Sequence, residues 1–258
     1  MKGIIFKNKL YWGLLISLSL VAGPLQADNH SESEASQQAV AQLLTFCTLN
    51  DGKKMQDAEA LGPLWGEFFE EQGMQQLSVQ ATPMFSSGEG PDFFFMNFLP
   101  FGALNDFFGT IQSEGQKELA ATMKVASCSR ALHAFRGLYY SPTMGENDVA
   151  YMHLSGCTRN EGVEWADIMQ QAQGMAGRLE EGEFKGLLGI SFPQYGSPVE
   201  SDFVRFLVMQ DMNVLGQVGN YYANQRGWEQ SEKYEEEYAQ CSQPSIWAGM
   251  TINRPQRN

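Results

Sequence analysis

The spacing of apolar and polar residues divides the chain downstream of residue 38 into short strands and amphipathic helices. Residues 55–72 carry apolar side chains at three- and four-residue steps, which predicts a helix with one buried stripe. Residues 92–101 are apolar at almost every position, which predicts a strand covered on both faces. The first half is predicted to contain strand 43–50, helix 55–72, strand 77–85, strand 92–101, a helical stretch 103–127 that breaks near Gly115 and has Cys128 at its end, and strand 131–138.

The same order of elements is predicted a second time. The second half is predicted to contain strand 150–158, helix 165–181, strand 186–192, strand 202–209, helical sequence over 213–240 and strand 245–252. The βαββαβ order is the ferredoxin-like pattern. We therefore predict an α+β fold with two tandem ferredoxin-like units at 39–140 and 149–252. A flexible acidic lead-in, 28–38, is predicted to precede them, and a tail, 253–258, to follow.

Identical residues support the two-unit prediction, because the chain matches itself when it is shifted by 110 residues. The ungapped alignment pairs Cys47 with Cys157, Asn50 with Asn160, Gly52 with Gly162, Asp57 with Asp167, Pro83 with Pro193, and Asp92-Phe93 with Asp202-Phe203. Small insertions further on align Gly115 with Gly227 and Cys128 with Cys241. The matches span nearly the whole of each unit and indicate an internal repeat.

The four cysteines are Cys47, Cys128, Cys157 and Cys241. An even cysteine count is typical of a disulfide framework in an oxidising compartment, and four cysteines allow three pairings. Because each repeat holds one early and one late cysteine, the repeat favours Cys47–Cys128 and Cys157–Cys241. Closing a loop of about 80 residues contributes on the order of 4 kcal/mol in the chain-entropy model.

The first 27 residues have the layout of a secretory signal peptide. Lys2, Lys7 and Lys9 precede an apolar run at 13–23 that is too short to span a bilayer, and Ala27 offers a small residue for cleavage. Removing 1–27 takes away three lysines and no acidic residue, so the formal charge of -13 would become -16. Such a charge disfavours nucleic acid and anionic membrane surfaces. We predict a periplasmic or secreted protein with no integral membrane segment after signal removal.

Two tandem ferredoxin-like units with a Phe-rich third strand and long, broken second helices resemble the dimeric α+β barrel superfamily. The repeated Cys-Thr-x-Asn-x-Gly segment, at 47–52 and 157–162, also resembles that of uncharacterised exported bacterial proteins. The superfamily resemblance implies that the two sheets face each other in an intramolecular barrel with the helices outside, one disulfide per unit. Superfamily members include cofactor-independent monooxygenases, haem-handling enzymes and small lyases, so the fold alone selects no activity. Because the two units supply the pseudo-dimer internally, a monomer is predicted.

Candidate site residues are few. His153 shares a strand face with Tyr151 and Cys157, which predicts that it points toward the helices, where superfamily enzymes hold substrates. Asn50 and Asn160 are either polar groups at a pocket mouth or parts of a strand–helix turn, and turn chemistry also explains Gly52 and Gly162. The candidate ligand-pocket residues, which ordinary core packing also explains, are Trp65, Phe95, Phe98, Tyr151 and His153. The weak catalytic candidates are His153, Asn160 and Asn50.

Recognisable catalytic motifs are missing from the sequence: it has no Walker loop, G-x-S-x-G elbow, H-E-x-x-H or C-x-x-C. No metal site or cofactor is predicted, although the resemblance implies haem as an alternative. We therefore expect a non-enzymatic protein that binds a small, partly apolar ligand or a protein partner. The alternatives are a cofactor-independent monooxygenase-like or haem-binding enzyme, and a structural or assembly protein.

Overall fold

The computed structural model describes residues 38–86, 90–145, 147–198 and 200–255. The predicted signal peptide, most of the predicted lead-in and the last three residues of the predicted tail lie outside the described residues. Within those ranges, no helix is both long enough and apolar enough to cross a bilayer.

The first half of the fold contains four strands and four helices. They are β1 (Val40–Leu49), α1 (Met55–Glu59), α2 (Leu61–Glu71), β2 (Leu77–Phe85), β3 (Phe93–Leu99), a 3-10 turn (Phe101–Ala103), α3 (Leu104–Glu114), α4 (Gln116–Val125) and β4 (Ala126–Tyr140). The predicted strand 92–101 ends early because Pro100 has no N–H to donate to the sheet. The placement of Cys128 at a helix end was wrong, since β4 begins at Ala126 and pairs with β1 through Cys128.

The second half repeats this order with one additional strand. Its elements are β5 (Val149–Arg159), α5 (Trp165–Glu181), β6 (Gly186–Tyr195), β7 (Phe203–Met209), α6 (Met212–Asn224), α7 (Gly227–Glu237), β8 (Ala239–Cys241) and β9 (Ser245–Asn253). Helical sequence was predicted to run to residue 240, but the helix ends at Glu237 because β8 pairs with β5 across Cys157, Thr158 and Arg159. Local periodicity does not reveal this three-residue pairing.

Eight strands close into an antiparallel barrel in the order β7-β6-β4-β1-β3-β2-β9-β5, and pairing of β5 with β7 completes the ring. The short β8 lies beside β5 at the edge. Within the first half the strand order is β4-β1-β3-β2, and within the second it is β9-β5-β7-β6. Two seams join the halves: β4 pairs with β6, and β2 pairs with β9.

Side chains alternate between the barrel interior and the surface that faces the helices. The interior is a buried cluster drawn from both halves, comprising Leu44, Ala81, Phe94, Met96, Ala131, Phe135, Met152, Leu187, Phe206 and Trp247. Outside the barrel lie two helix-facing cores, each drawn mainly from one half, with Ile252 of β9 packed against the first and Leu138 of β4 against the second. The fold therefore has three cores, one inside the barrel and two beneath the helices.

Disulfides join Cys47 to Cys128 and Cys157 to Cys241, which is the pairing favoured by the repeat. In each case the two cysteines are direct cross-strand partners with a Cα–Cα distance of 4.1 Å. Gly52 and Gly162 follow at φ +77° and +82°, in the left-handed region that favours glycine. The aligned turns of the two halves thus share both a covalent bridge and a backbone conformation.

Candidate anion-binding site

The helix-facing surface of the second half carries the candidate site. Cys157 packs against Ile168 of α5, whereas Met152 and Leu154 on the alternate positions of β5 face the barrel interior. By this alternation His153 and Tyr151 lie on the helix-facing surface with Cys157. Both side chains are half-buried.

Arg205 of β7 is the cation of this surface. It lies opposite Ser155 of β5 in the sheet register, two pairs along the strand from His153 and on the same face. Its Nη2 is 3.6 Å from the Met175 Sδ on α5, and its guanidinium carbon lies 4.5 Å from the ring centroid of Tyr234 on α7. No carboxylate oxygen among the described residues lies within 4 Å of it. Sheet and helices therefore enclose an arginine that forms no ion pair.

Burial and charge shift the ionisation of the neighbouring groups. Burial lowers the pKa of the Arg205 guanidinium, an effect opposed by Tyr234 and Glu235. Burial also raises the pKa of the Tyr234 phenol, against the influence of Arg205. The pKa of His153 is lowered first by burial and then by the positive charge of Arg205. At neutral pH the site thus combines a cationic guanidinium with a neutral imidazole and a neutral phenol.

The aligned positions of the first half form a closed aromatic core. Leu43 stands in place of His153, Phe95 in place of Arg205 and Trp65 in place of Met175, and all three are buried. Trp65 stacks on Phe69 with ring centroids 5.5 Å apart. The Trp65 indole N–H also donates to Thr122 Oγ1 at 3.0 Å. Apolar side chains in the first half therefore fill the layer that contains a guanidinium and an imidazole in the second.

The five side chains predicted to line a pocket lie in three separate places. Trp65 and Phe95 belong to the helix-facing core of the first half. Phe98 lies inside the barrel, with its ring centroid 5.1 Å from that of Phe135. Only Tyr151 and His153 share the surface on which Arg205 lies.

The side chains of Asn50 and Asn160 make matching contacts. Asn50 Nδ2 donates to the Met123 carbonyl at 2.9 Å, near the end of α4. Asn160 Nδ2 donates to the carbonyls of Glu235 and Glu236 at 2.8 and 3.1 Å, near the end of α7. Each amide thus satisfies terminal carbonyls that have no partner within the helix. This role ties the strand–helix turn to the second helix of its half.

Comparison with solved structures finds the same architecture. A candidate monooxygenase from Fusobacterium nucleatum subsp. nucleatum aligns over 86% of this chain and 96% of its own, with a TM-score of 0.53 and 10% identity. This chain has the fold of the dimeric α+β barrel proteins. At such an identity the similarity extends to the fold alone.

Two further solved structures align over similar lengths. A haem-binding protein from Thermus thermophilus covers 83% of this chain and 91% of its own, at TM-score 0.48 and 12% identity. A candidate monooxygenase from Lactobacillus acidophilus NCFM covers 84% and 95%, at TM-score 0.49 and 8% identity. No protein-family model matches this sequence, and no curated protein matches it.

His133 lies inside the barrel, where it joins the two halves. Its Nδ1 is 2.9 Å from Ser191 Oγ, and Ser191 donates to Gln42 Oε1 at 2.5 Å. Because the Ser191 hydrogen is directed to Gln42, His133 donates from Nδ1, and its buried Nε2 has no partner among the described residues. Burial lowers the pKa of His133 to about 4, so the ring is neutral at pH 7.

The described residues do not fit a bound haem. Haem needs an axial ligand beside a space that holds the macrocycle. His133 is enclosed by the packed barrel, and the neighbourhood of His153 includes Arg205, which packs on Met175 and Tyr234. Two surface cavities, of about 380 and about 780 Å³, contain no histidine in their linings. Within the described ranges, no group of three or more His, Cys, Asp or Glu residues is placed to hold a metal ion.

Sequence reasoning did not select Arg205 and Tyr234 as candidates. The available signal was the replacement of Phe95 by Arg205 in an aligned apolar strand, because a charge at a position that faces the core requires a partner. Tyr234 gave no such signal, since its acidic helix is typical of a solvated face.

Proposed function

We propose that this chain is an exported, non-enzymatic binding protein whose second half binds a small, partly apolar carboxylate. One observation carries the proposal: the Arg205 guanidinium lies between the sheet and the helices without a described carboxylate within 4 Å. A ligand carboxylate would supply that missing charge.

The physical argument begins with the free energy of burying a charge. Removing a guanidinium from water is unfavourable by several kcal/mol unless charge and hydrogen bonds compensate it. The planar fork of arginine matches a carboxylate with two parallel hydrogen bonds. Met175 and the Tyr234 ring flank Arg205 and offer apolar and aromatic contact to the rest of the ligand. The ligand class that fits these groups is an aromatic or alicyclic carboxylate.

Binding is favoured over catalysis because the catalytic candidates have other contacts or lack a relay. The Asn160 amide donates to two helix carbonyls, so its donor capacity is in use. Burial and the positive charge of Arg205 lower the pKa of His153, and no described carboxylate oxygen lies within 4 Å of its ring nitrogens. We propose that His153 forms a neutral hydrogen bond to the ligand.

The test uses 1-naphthoate as the probe and 1-naphthamide as its uncharged isostere, with isothermal titration calorimetry as the measurement. Naphthoate is expected to bind one to one and the amide at least about ten-fold more weakly, a difference of about 1.4 kcal/mol. Arg205→Gln is expected to remove that preference. Arg130→Gln, which alters an exposed arginine of the first half, is the matched control and should bind naphthoate as the unmodified chain does.

Circular dichroism and thermal unfolding of the Arg205→Gln variant establish that it is folded before binding is compared. Equal affinity for naphthoate and naphthamide would overturn the proposal, as would unchanged naphthoate binding in the folded variant. An absorbance scan of the purified protein tests the haem-binding alternative independently, because a Soret band would favour that alternative.

The wider organisation is part of the same proposal: two tandem ferredoxin-like units, derived by duplication, act as a monomeric pseudo-dimer. Its support is the matching strand order of the two halves together with the two matching disulfides. Light scattering of the exported protein should give the mass of one chain, whereas twice that mass would contradict a monomer. Amino-terminal sequencing of the same sample tests cleavage after Ala27.

A further inference from the structure

Lysine is distributed unevenly in this acidic chain. Six lysines follow residue 27 in a protein of formal charge -13, and four of them line a single groove in the first half. They are Lys53, Lys54, Lys117 and Lys124. The other two, Lys185 and Lys233, lie in the second half. The first half therefore concentrates positive charge at one place on a negatively charged molecule.

The groove runs between the α1–α2 segment and α4 and has a volume of about 780 Å³. Its apolar lining consists of Ala60, Leu61, Leu64, Ala120, Ala121 and Val125. Two hydrogen bonds hold its walls together: Trp65 on α2 donates to Thr122 on α4, and Asn50 donates to the Met123 carbonyl. The groove is thus a fixed apolar surface edged by ammonium groups.

Neighbouring carboxylates compensate only part of this positive charge. Asp57 lies in the lining, and its Oδ2 accepts the backbone N–H of Lys54 at 2.8 Å. Glu118 lies 3.9 Å from the Lys117 ammonium, and the Lys117 side chain is 80% exposed. No described carboxylate lies within 4 Å of the ammonium groups of Lys53, Lys54 or Lys124. The groove retains a net positive charge.

We propose that this groove binds a single-headed anionic amphiphile, a molecule with one carboxylate or phosphate head group and an alkyl chain. The ammonium groups contact the head group, and the chain lies along the half-buried Leu64, Ala121 and Val125. Lys117 and Lys124 are seven residues apart on α4, or about 10 Å along the helix axis. One amphiphile can therefore meet both a lysine and the apolar lining. The volume is within the range of about 300–1,000 Å³ typical of small-molecule sites.

Charge argues for a small ligand rather than an acidic macromolecule. An acidic protein or an anionic membrane would meet the repulsion of the whole negatively charged chain as it approached. A small anion in the groove is governed mainly by charges within the Debye length, which is about 8 Å at physiological ionic strength. The residues that line the groove include four lysines and one carboxylate, Asp57.

The proposal is independent of the carboxylate site proposed at Arg205, because it involves other residues in the other half. Isothermal titration calorimetry with dodecanoate and dodecyl phosphate, both below their critical micelle concentrations, tests it on the mature chain. Dodecyl maltoside, which has a similar chain and an uncharged head group, is the ligand control. Comparing dodecanoate with dodecyl phosphate distinguishes carboxylate recognition from phosphate recognition.

The decisive variant is the double substitution Lys117→Gln and Lys124→Gln. Its matched control is Lys185→Gln with Lys233→Gln, which makes the same change in net charge in the second half. Loss of affinity for the anionic amphiphiles by at least about ten-fold is expected in the groove variant, with a change below about two-fold in the control. Ala120→Trp, at an exposed position of α4, fills the groove without changing charge and is expected to weaken binding as well.

Three results would overturn the proposal: equal loss in the groove variant and its control, equal binding of dodecyl maltoside, or no binding of either anionic amphiphile. The Arg205→Gln variant separates the two proposed sites. If it alone abolished amphiphile binding, the ligand would belong to the Arg205 site, and the groove proposal would fail while the proposed function stood. If the unmodified chain did not bind naphthoate but the lysine variant lost amphiphile binding, the proposed function would fail and the groove proposal would stand.

Discussion

The two halves share one scaffold but fill the layer between sheet and helices differently. In the first half, α2 buries Leu61, Gly62, Trp65, Phe68 and Phe69 against the sheet. In the second half, the longer α5 buries only Ile168 and Ala176, and α6 buries only Val214. Both halves nonetheless have a disulfide at the aligned strand position. In the turn that follows, each has an asparagine that donates to a helix-terminal carbonyl and a glycine with positive φ.

The comparison distinguishes two sets of residues. The disulfides, asparagines and glycines are shared and maintain the scaffold, whereas the side chains between sheet and helices differ between the halves. Burial of large aromatic side chains dominates the free energy of a core, so the first half supplies much of the stability. The second half, held by its disulfide and by two strand seams to the first, can contain an arginine and a histidine in the same layer. The first half is therefore the more tightly packed of the two, and the second half contains the charged group on which the proposed carboxylate site depends.

The largest effect on stability is expected from substitutions that place a charge at position 95 and an apolar side chain at the aligned position 205. Phe95→Arg places an unpaired charge in the closed aromatic core and should lower the free energy of unfolding by about 5 kcal/mol. Arg205→Met removes an unpaired charge from the second half and should leave stability unchanged or raise it by about 1 kcal/mol. Urea unfolding of both variants measures the contrast. Similar destabilisation by the two substitutions would show that the halves do not differ as described.

A second contrast concerns the aligned side chains Trp65 and Met175. Trp65→Ala removes a buried ring and its bond to Thr122, and should lower the free energy of unfolding by about 4 kcal/mol. Met175→Ala, at a half-buried position, should lower it by about 1–2 kcal/mol. Thermal and urea unfolding of both proteins would test this. A larger loss of unfolding free energy in Met175→Ala than in Trp65→Ala would indicate that the second half is the more tightly packed.

His133 is expected to make stability depend on pH. It has no histidine counterpart in the second half, and it joins the halves through Ser191. Its pKa is lowered from 6.5 to about 4, so the unfolded chain binds a proton at a higher pH than the folded chain does. The associated stability is fully present above pH 6.5 and is lost as the pH falls to about 4. The loss should amount to about 3 kcal/mol. Urea unfolding at several pH values gives the slope of the free energy of unfolding against pH.

The control for this pH dependence is a pair of variants. His133→Gln should flatten the slope between pH 6.5 and about 4, because glutamine does not titrate there. His153→Gln should flatten it less, because His153 is only half-buried. An unchanged slope in the His133 variant would mean that other groups cause the acid sensitivity.

The smallest effect should be the same in the two halves. Asn50→Ala and Asn160→Ala each remove amide hydrogen bonds to helix-terminal carbonyls, so each should lower the free energy of unfolding by about 1 kcal/mol. Equal losses of unfolding free energy in urea unfolding would indicate that both amides stabilise the contact between the turn and the helix end. A much larger loss of naphthoate binding than of stability in Asn160→Ala would instead give Asn160 a part in the site.

Local signals predicted the type and order of most elements, although the predicted helix 55–72 is two helices, α1 and α2. Helix 165–181 and strand 77–85 have the predicted bounds, and the helix break near Gly115 lies where the sequence indicated it. These segments have a clear period or a strong breaker, and neighbouring residues decide their structure. The pairing of the cysteines was also predicted correctly from sequence, because the alignment of the chain with itself favoured one of the three possibilities.

Elements that depend on distant partners were not predicted. Strand β4 is longer than its pattern suggested because it pairs with β1 along one edge and with β6 along the other. Strand β8 is only three residues long and exists because Cys241 lies opposite Cys157. His133 was not among the predicted site residues, yet it is the buried histidine of the barrel. Its burial depends on Ser191, 58 residues away.

By itself the sequence determined the α+β class, the order of elements, the likeness of the two halves and the pairing of the cysteines. These features depend on periodicity, turn residues and self-alignment, all of which are local or internal to the chain. Only the tertiary structure decided which side chains meet: Arg205 with Met175 and Tyr234, His133 with Ser191, and four lysines around one groove. Such contacts join residues far apart in sequence, and they exist only once barrel closure and helix packing have brought those residues together.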